Sequence, residues 1–253
     1  ALHEGSHIKL SDFNFLKNLE YEIQEELYLL GEKKGFSRHE VMSHVKNLLN
    51  YVEDRRIDNF VFTTSPGYKG YYHSMYDKYF YSKIIDKALQ STEHTDEVIE
   101  SYMFRIINLT NQNTNLDSLK GLRDIWNTID IKNIGRLKDT KEAFTIASSV
   151  MGTILDNLQD GIEETDEYGD KIKKPASASK GNGDSSENGG GESDSKKLSD
   201  EEFDRLKEAM SSGDVKQGHK NGSDIQLSPN QKKQLDNAIR KQEKFMRVKY
   251  FQG

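Results

Sequence analysis

The sequence predicts a mainly α-helical protein, on three observations. Apolar residues recur at three- and four-residue steps through residues 1–160. A Ser/Glu capping box, Ser37 with Glu40, heads the longest of these runs. Of the 3 prolines, Pro66 alone falls within that stretch, at a loop.

Taken in order, Asn14 to Leu30 carries Phe15, Leu19, Ile23, Leu27 and Leu30 as one stripe, which predicts one helix. The Ser37 box opens the next, with Val41, Val45, Leu48, Leu49, Val52 and Ile57, running to Phe62. Thr63-Thr64-Ser65-Pro66-Gly67 ends it. Further helices are predicted over Tyr71–Leu89, Asp96–Leu109, Asp117–Ile129 and Lys141–Leu158, with Trp126 as core beside Leu122 and Ile129. Residues 161–200 hold 7 Gly, 7 Ser and only 6 hydrophobic residues. So little apolar surface does not offset an ordering cost of about 1–2 kcal/mol per residue, so 161–198 is expected to be a disordered acidic linker. A helical tail over 199–253 follows. Ser199 with Glu202 caps a short helix to Met210, and Ser228-Pro229 opens a last helix with Leu235, Ile239, Gln242 and Met246 on one face.

Composition excludes several function classes. Hydrophobic residues are 34% and charged residues 31%, too polar for one packed body throughout. No run approaches the roughly 20 apolar residues of a membrane span, so no membrane partner is expected. With 0 Cys there is no disulfide scaffold, iron–sulfur centre, zinc finger or cysteine nucleophile, and a reducing, cytoplasmic setting is expected. The net charge of −6 divides as −5 over 1–160, −4 over 161–200 and +3 over 201–253, which is no nucleic-acid footprint. Phosphate-binding, nucleophile-elbow and dinucleotide fingerprints are absent, which argues against an ATPase, an α/β-hydrolase and a dehydrogenase.

The chemistry sits at the start. His3-Glu4-Gly5-Ser6-His7 is H-E-x-x-H. On a helix the two imidazoles share a face and reach one ion, while Glu4 reaches a water there without ligating the metal. Zinc lowers the pKa of such a water toward about 7, and Glu4 is then the general base and acid. The third ligand is sought in Val52-Glu53-Asp54-Arg55-Arg56-Ile57-Asp58. Glu53 and Asp54 point about 100° apart, so one of them faces the ion. Glu53 lies beside the buried stripe and is the expected ligand. Asp54 or Asp58 is expected to hold an imidazole from behind. The plain alternative is an exposed salt-bridge cluster.

Leu2-His3-Glu4-Gly5-Ser6-His7, followed by Glu53-Asp54-Arg55-Arg56-Ile57-Asp58, resembles a gluzincin-type metallopeptidase domain. It is similar to the region that precedes a von Willebrand A-like domain in some bacterial and phage proteins. An acidic low-complexity segment fits too, as in the related cobaltochelatase subunit. The resemblance implies a helical zincin-like subdomain, Zn2+ held by His3, His7 and Glu53, Glu4 as base, and a peptide or protein substrate. It also implies a sheet upstream of Ala1 and a further domain beyond Gly253. The competing expectation is a non-catalytic assembly factor working with a MoxR-type AAA+ ATPase.

Other residues are weighed against this site. His39-Glu40-Val41-Met42-Ser43-His44 places its histidines five apart, about 140° round the helix, so they share no ion. Tyr71, Tyr72 and His73 follow the Pro66-Gly67 loop and are candidates for stabilising an oxyanion, with His73 an alternative third ligand. Tyr72, Tyr76 and Phe80 also share a face that reads as core. His94 and His219 are expected to be exposed.

Overall fold

The computed structural model describes residues 2–165, 171–176 and 226–247. It is mainly helical. The helices are α1 (Leu2–Leu10), α2 (Phe13–Lys17), α3 (Leu19–Glu22), α4 (Glu25–Lys33), α5 (Arg38–Thr64), α6 (Lys69–Tyr79), α7 (Lys83–Leu89), α8 (Ile99–Ile107), α9 (Leu122–Ile129), α10 (Thr140–Asn157) and α11 (Pro229–Arg247). Strands β1 (Ile162–Thr165) and β2 (Lys171–Lys174) pair antiparallel. Among the described residues no helix is long and apolar enough to cross a membrane.

Helix α5 is the axis. It starts where the capping box places it: Glu40 N–H donates to Ser37 Oγ, and Ser37 N–H donates to Glu40 Oε2 at 2.7 Å. It stops at Thr64, because the residue before Pro66 is steered out of the helical region. Val41, Val45, Leu48, Leu49, Val52, Ile57 and Val61 are buried along it. Helix α10 packs most extensively on α5 and supplies Ala143, Ala147, Val150, Met151, Ile154 and Leu155 to the same core. Helix α4 also lies close. A Cβ at Gly31 would overlap the Val41 side chain, so only glycine allows that approach.

Two predicted helices are broken. The Asn14–Leu30 stripe is three pieces, interrupted at Asn18 and at the extended Ile23 and Gln24. Phe15, Leu19 and Ile23 are nonetheless buried, so packing took the apolar residues without the continuity. Tyr71–Leu89 is likewise divided into α6 and α7, with Ser82 extended at the N-cap of α7.

The region past α10 also departs from expectation. Residues 161–176, expected to open the linker, include the β1–β2 pair, in which Glu164 and Lys174 side chains are ion-paired at 2.7 Å. Residues 177–198 and the Ser199–Met210 helix lie outside the described residues. The last helix forms as Ser228-Pro229 predicts, and it packs back onto the helical body. Leu227 and Leu235 bury against Ile85, Ala88, Leu89 and Phe104. Phe245 stacks on Tyr79 at 4.8 Å. Gln242 is fully buried: its Nε2 donates to Asn108 Oδ1 at 2.8 Å and to the Tyr79 carbonyl at 2.6 Å, and Asn108 Nδ2 donates back at 3.3 Å.

His94 is a second correction. It is half-buried and not exposed: its ring lies 4.5 Å from that of Phe104 and its φ is +54°. Arg105, fully buried, donates to the carbonyls of Leu89, Glu93 and His94 and so fixes the loop after α7. Burial, reinforced by the Arg105 cation, pushes the His94 pKa down to about 4. His219 lies outside the described residues.

Two outcomes follow. Gln242→Leu leaves the Asn108 amide and the Tyr79 carbonyl without their buried partner, and lowers the stability of the whole chain by about 1–3 kcal/mol in denaturant unfolding. For His94 the unfolded chain takes up a proton that the folded chain refuses, between the ordinary pKa of 6.5 and about 4. Its contribution is therefore complete above pH 6.5 and is lost as pH falls through that window, by about 3 kcal/mol. His94→Asn, which tolerates the left-handed backbone, flattens the stability profile over that range.

Candidate metal centre

The site forms where α1 lies against the middle of α5. Nine successive residues of α5, Asn50 to Asp58, are all buried. A charge taken out of water costs several kcal/mol unless it is paired, so this run dictates what surrounds it.

One side is a structural clamp. Arg56 donates to both oxygens of Glu53, from Nε at 2.6 Å and Nη2 at 3.0 Å. The same guanidinium reaches the Leu10 carbonyl at 2.8 Å and the Lys138 carbonyl at 3.3 Å. Thr140 Oγ1 donates to Glu53 Oε1 at 2.7 Å and accepts from Asp12 N–H at 2.9 Å. The pair thus ties the end of α1 to the start of α10. Glu53, the expected third ligand, is committed here. The correction has a simple cause: this part of α5 is buried on every side, so lying beside the apolar stripe does not select the face that meets α1.

The facing side carries Asp54 and Asp58, four residues apart like His3 and His7. His3 Nδ1 lies 2.8 Å from Asp58 Oδ1, and His7 Nδ1 lies 3.1 Å from Ser11 Oγ. With each Nδ1–H donated to its oxygen, both rings turn Nε2 toward Asp54. The three atoms His3 Nε2, His7 Nε2 and Asp54 Oδ1 lie 2.9, 3.2 and 3.3 Å apart. They form a group able to hold a metal ion, all of it buried. A tetrahedral ion with bonds of 2.0–2.1 Å separates its ligand atoms by about 3.3 Å, so the triangle has the size of one face of that tetrahedron. Two imidazoles and one carboxylate are also a donor set that zinc favours.

Protons compete for the same place. Burial acts to lower the His3 pKa, but Asp58 and Asp54 outweigh it and raise the imidazole to about 9. Since Nδ1 faces Asp58, the added proton occupies Nε2, where a metal would bind.

Glu4, the expected base, is exposed and takes no part in the buried cluster. Asp58 sits behind His3 as expected. Asp54, expected in that same supporting role, provides an oxygen of the triangle instead. The spacing of Asp54 and Asp58 was the signal available for this, because a D-x-x-x-D face matches an H-x-x-x-H face. The side chains of Tyr71, Tyr72 and His73 lie outside the described residues. Their helix does reach the site, through Tyr76, whose hydroxyl donates to Asp58 Oδ2 at 2.8 Å. His39 is exposed and His44 packs edge-on against Phe36, so that pair forms no site. No protein-family model, curated protein or solved structure matches the chain.

The two acidic neighbours separate cleanly by substitution. Where the triangle holds an ion, Asp54→Ala is expected to lose it, measured by elemental analysis of the dialysed protein beside wild type. Glu53→Ala is expected to leave any such binding in place and to lose about 3–5 kcal/mol of stability, because Arg56 is left buried without its carboxylate.

Proposed function

We propose that this chain is a zinc-dependent, metallopeptidase-like hydrolase with His3, His7 and Asp54 as metal ligands. The observation that carries the reading is the triangle of two Nε2 atoms and Asp54 Oδ1, with Glu4 on the exposed side of the helix that bears both histidines. His3, His7 and Asp54 would hold zinc there, which when bound would polarise a carbonyl and bring the pKa of a water toward about 7. Glu4, the acid of the H-E-x-x-H motif, would swing in from its exposed position to take a proton from that water and hand it to the leaving nitrogen. The other residues do different work: buried Asp58 and half-buried Ser11 hold the rings, and Glu53 with Arg56 holds α1 in place. The substrate class is a peptide or protein, as the resemblance implies.

The test compares zinc-loaded wild type with Glu4→Gln, using labelled casein and an elemental assay. Glu4→Gln keeps one zinc and loses about 10²–10⁴-fold in cleavage. Equal cleavage by both removes Glu4 from the chemistry. Stoichiometric zinc with no cleavage by either favours an assembly role, of the kind expected alongside an AAA+ ATPase.

A further inference from the structure

We propose that Tyr76, on α6, is a positioning residue of the metal site, acting on His3 through Asp58. The inference rests on the metal-site reading above and extends it to a residue whose sequence position marks it only as core.

The two oxygens of Asp58 have separate tasks. Oδ1 faces His3 Nδ1 at 2.8 Å. Oδ2 accepts from the Tyr76 hydroxyl at 2.8 Å and lies 3.2 Å from Arg55 Nη2. A carboxylate held by one donor can swing about its last torsion. The Tyr76 hydrogen bond and the Arg55 ion pair on the far oxygen fix its plane and aim Oδ1 at the ring. The His3 proton is thereby kept on Nδ1, and Nε2 is presented toward His7 and Asp54. Arg55 offsets the Asp58 charge while itself resting on aromatic faces, 5.2 Å from the Tyr76 ring centre and 5.5 Å from that of Tyr51. Tyr76, Asp58 and Arg55 are all buried, so water does not take over these bonds.

Packing alone does not account for the hydroxyl. The Tyr76 ring sits among Phe80 at 5.3 Å and Tyr81 at 6.1 Å, where phenylalanine would fill the same space. Tyr81 is the internal comparison. It is in the same aromatic cluster, but its hydroxyl turns to Thr110 at 3.4 Å and not to Asp58.

The experiment measures Zn2+ affinity and the visible spectrum of the Co2+-loaded full chain, for wild type, Tyr76→Phe, Asp58→Asn, the double variant and Tyr81→Phe. Tyr76→Phe is expected to weaken Zn2+ binding about 10–100-fold and to shift the cobalt bands, as loss of support behind a ligating histidine does. The double variant is expected to bind no more weakly than Asp58→Asn alone, because the two residues act in series. Tyr81→Phe changes the melting temperature without changing the affinity. In the zinc-loaded wild type, the Tyr76 hydroxyl proton and the His3 Nδ1 proton are expected to exchange slowly, a readout that does not depend on any variant folding. Wild-type affinity and spectrum in Tyr76→Phe, losses that multiply in the double variant, or fast exchange of the Tyr76 hydroxyl overturns the proposal while the metal site stands. A wild-type chain that binds neither ion overturns the site itself and this inference with it.

Discussion

The burial of charge in the middle of α5 is the constraint on which the rest of the structure depends. Glu53, Asp54, Arg55, Arg56 and Asp58 are all buried within a single stretch of helix. None of these ions is tolerable there without compensation. The compensation comes from other elements: α10 through Thr140, α6 through Tyr76, and α1 through its histidines and the Leu10 carbonyl. The arrangement of those helices around α5 is therefore fixed by polar pairing as much as by the apolar core.

Helix α1 makes the point most sharply. Its buried residues are His3, Ser6 and His7, while Ile8 is 76% exposed. A nine-residue helix has little stability of its own. It is seated by imidazole–carboxylate contacts and by the Arg56 bond to its last carbonyl. A cation bound by the same histidines would act on the same seat, so metal affinity and the docking of α1 are linked quantities.

The division of acids around this helix gives the site its chemical sense. Carboxylates that must stay in place are buried and bonded. Asp58 is clamped by Tyr76 and Arg55, and Glu53 by Arg56 and Thr140. Asp54 presents an oxygen to the histidines from a backbone that cannot move without breaking both clamps. Glu4, the acid that the proposed chemistry needs to shuttle a proton, is the one left exposed.

Much of this was readable from residue order, because helix periodicity and capping are local. The Ser37–Glu40 box, the stop before Pro66, the Lys141–Leu158 helix, the Ile129 end of the Asp117–Ile129 helix (which starts only at Leu122) and the Ser228-Pro229 start all depend on neighbours within a few positions. So does the pairing of His3 with His7. The breaks at Asn18, at Ile23 and before Ser82 were not readable, since the same apolar spacing serves a continuous helix or three short ones until a core exists to receive it. The selection of Asp54 over Glu53 was marked in the sequence only by the shared four-residue spacing of Asp54 and Asp58 with His3 and His7. Adjacent acids on a helix differ only in azimuth, and azimuth acquires meaning when α1 arrives on one side and α10 on the other. Local sequence determined which groups were available for the chemistry, and the packing of distant helices on α5 decided which of them meet.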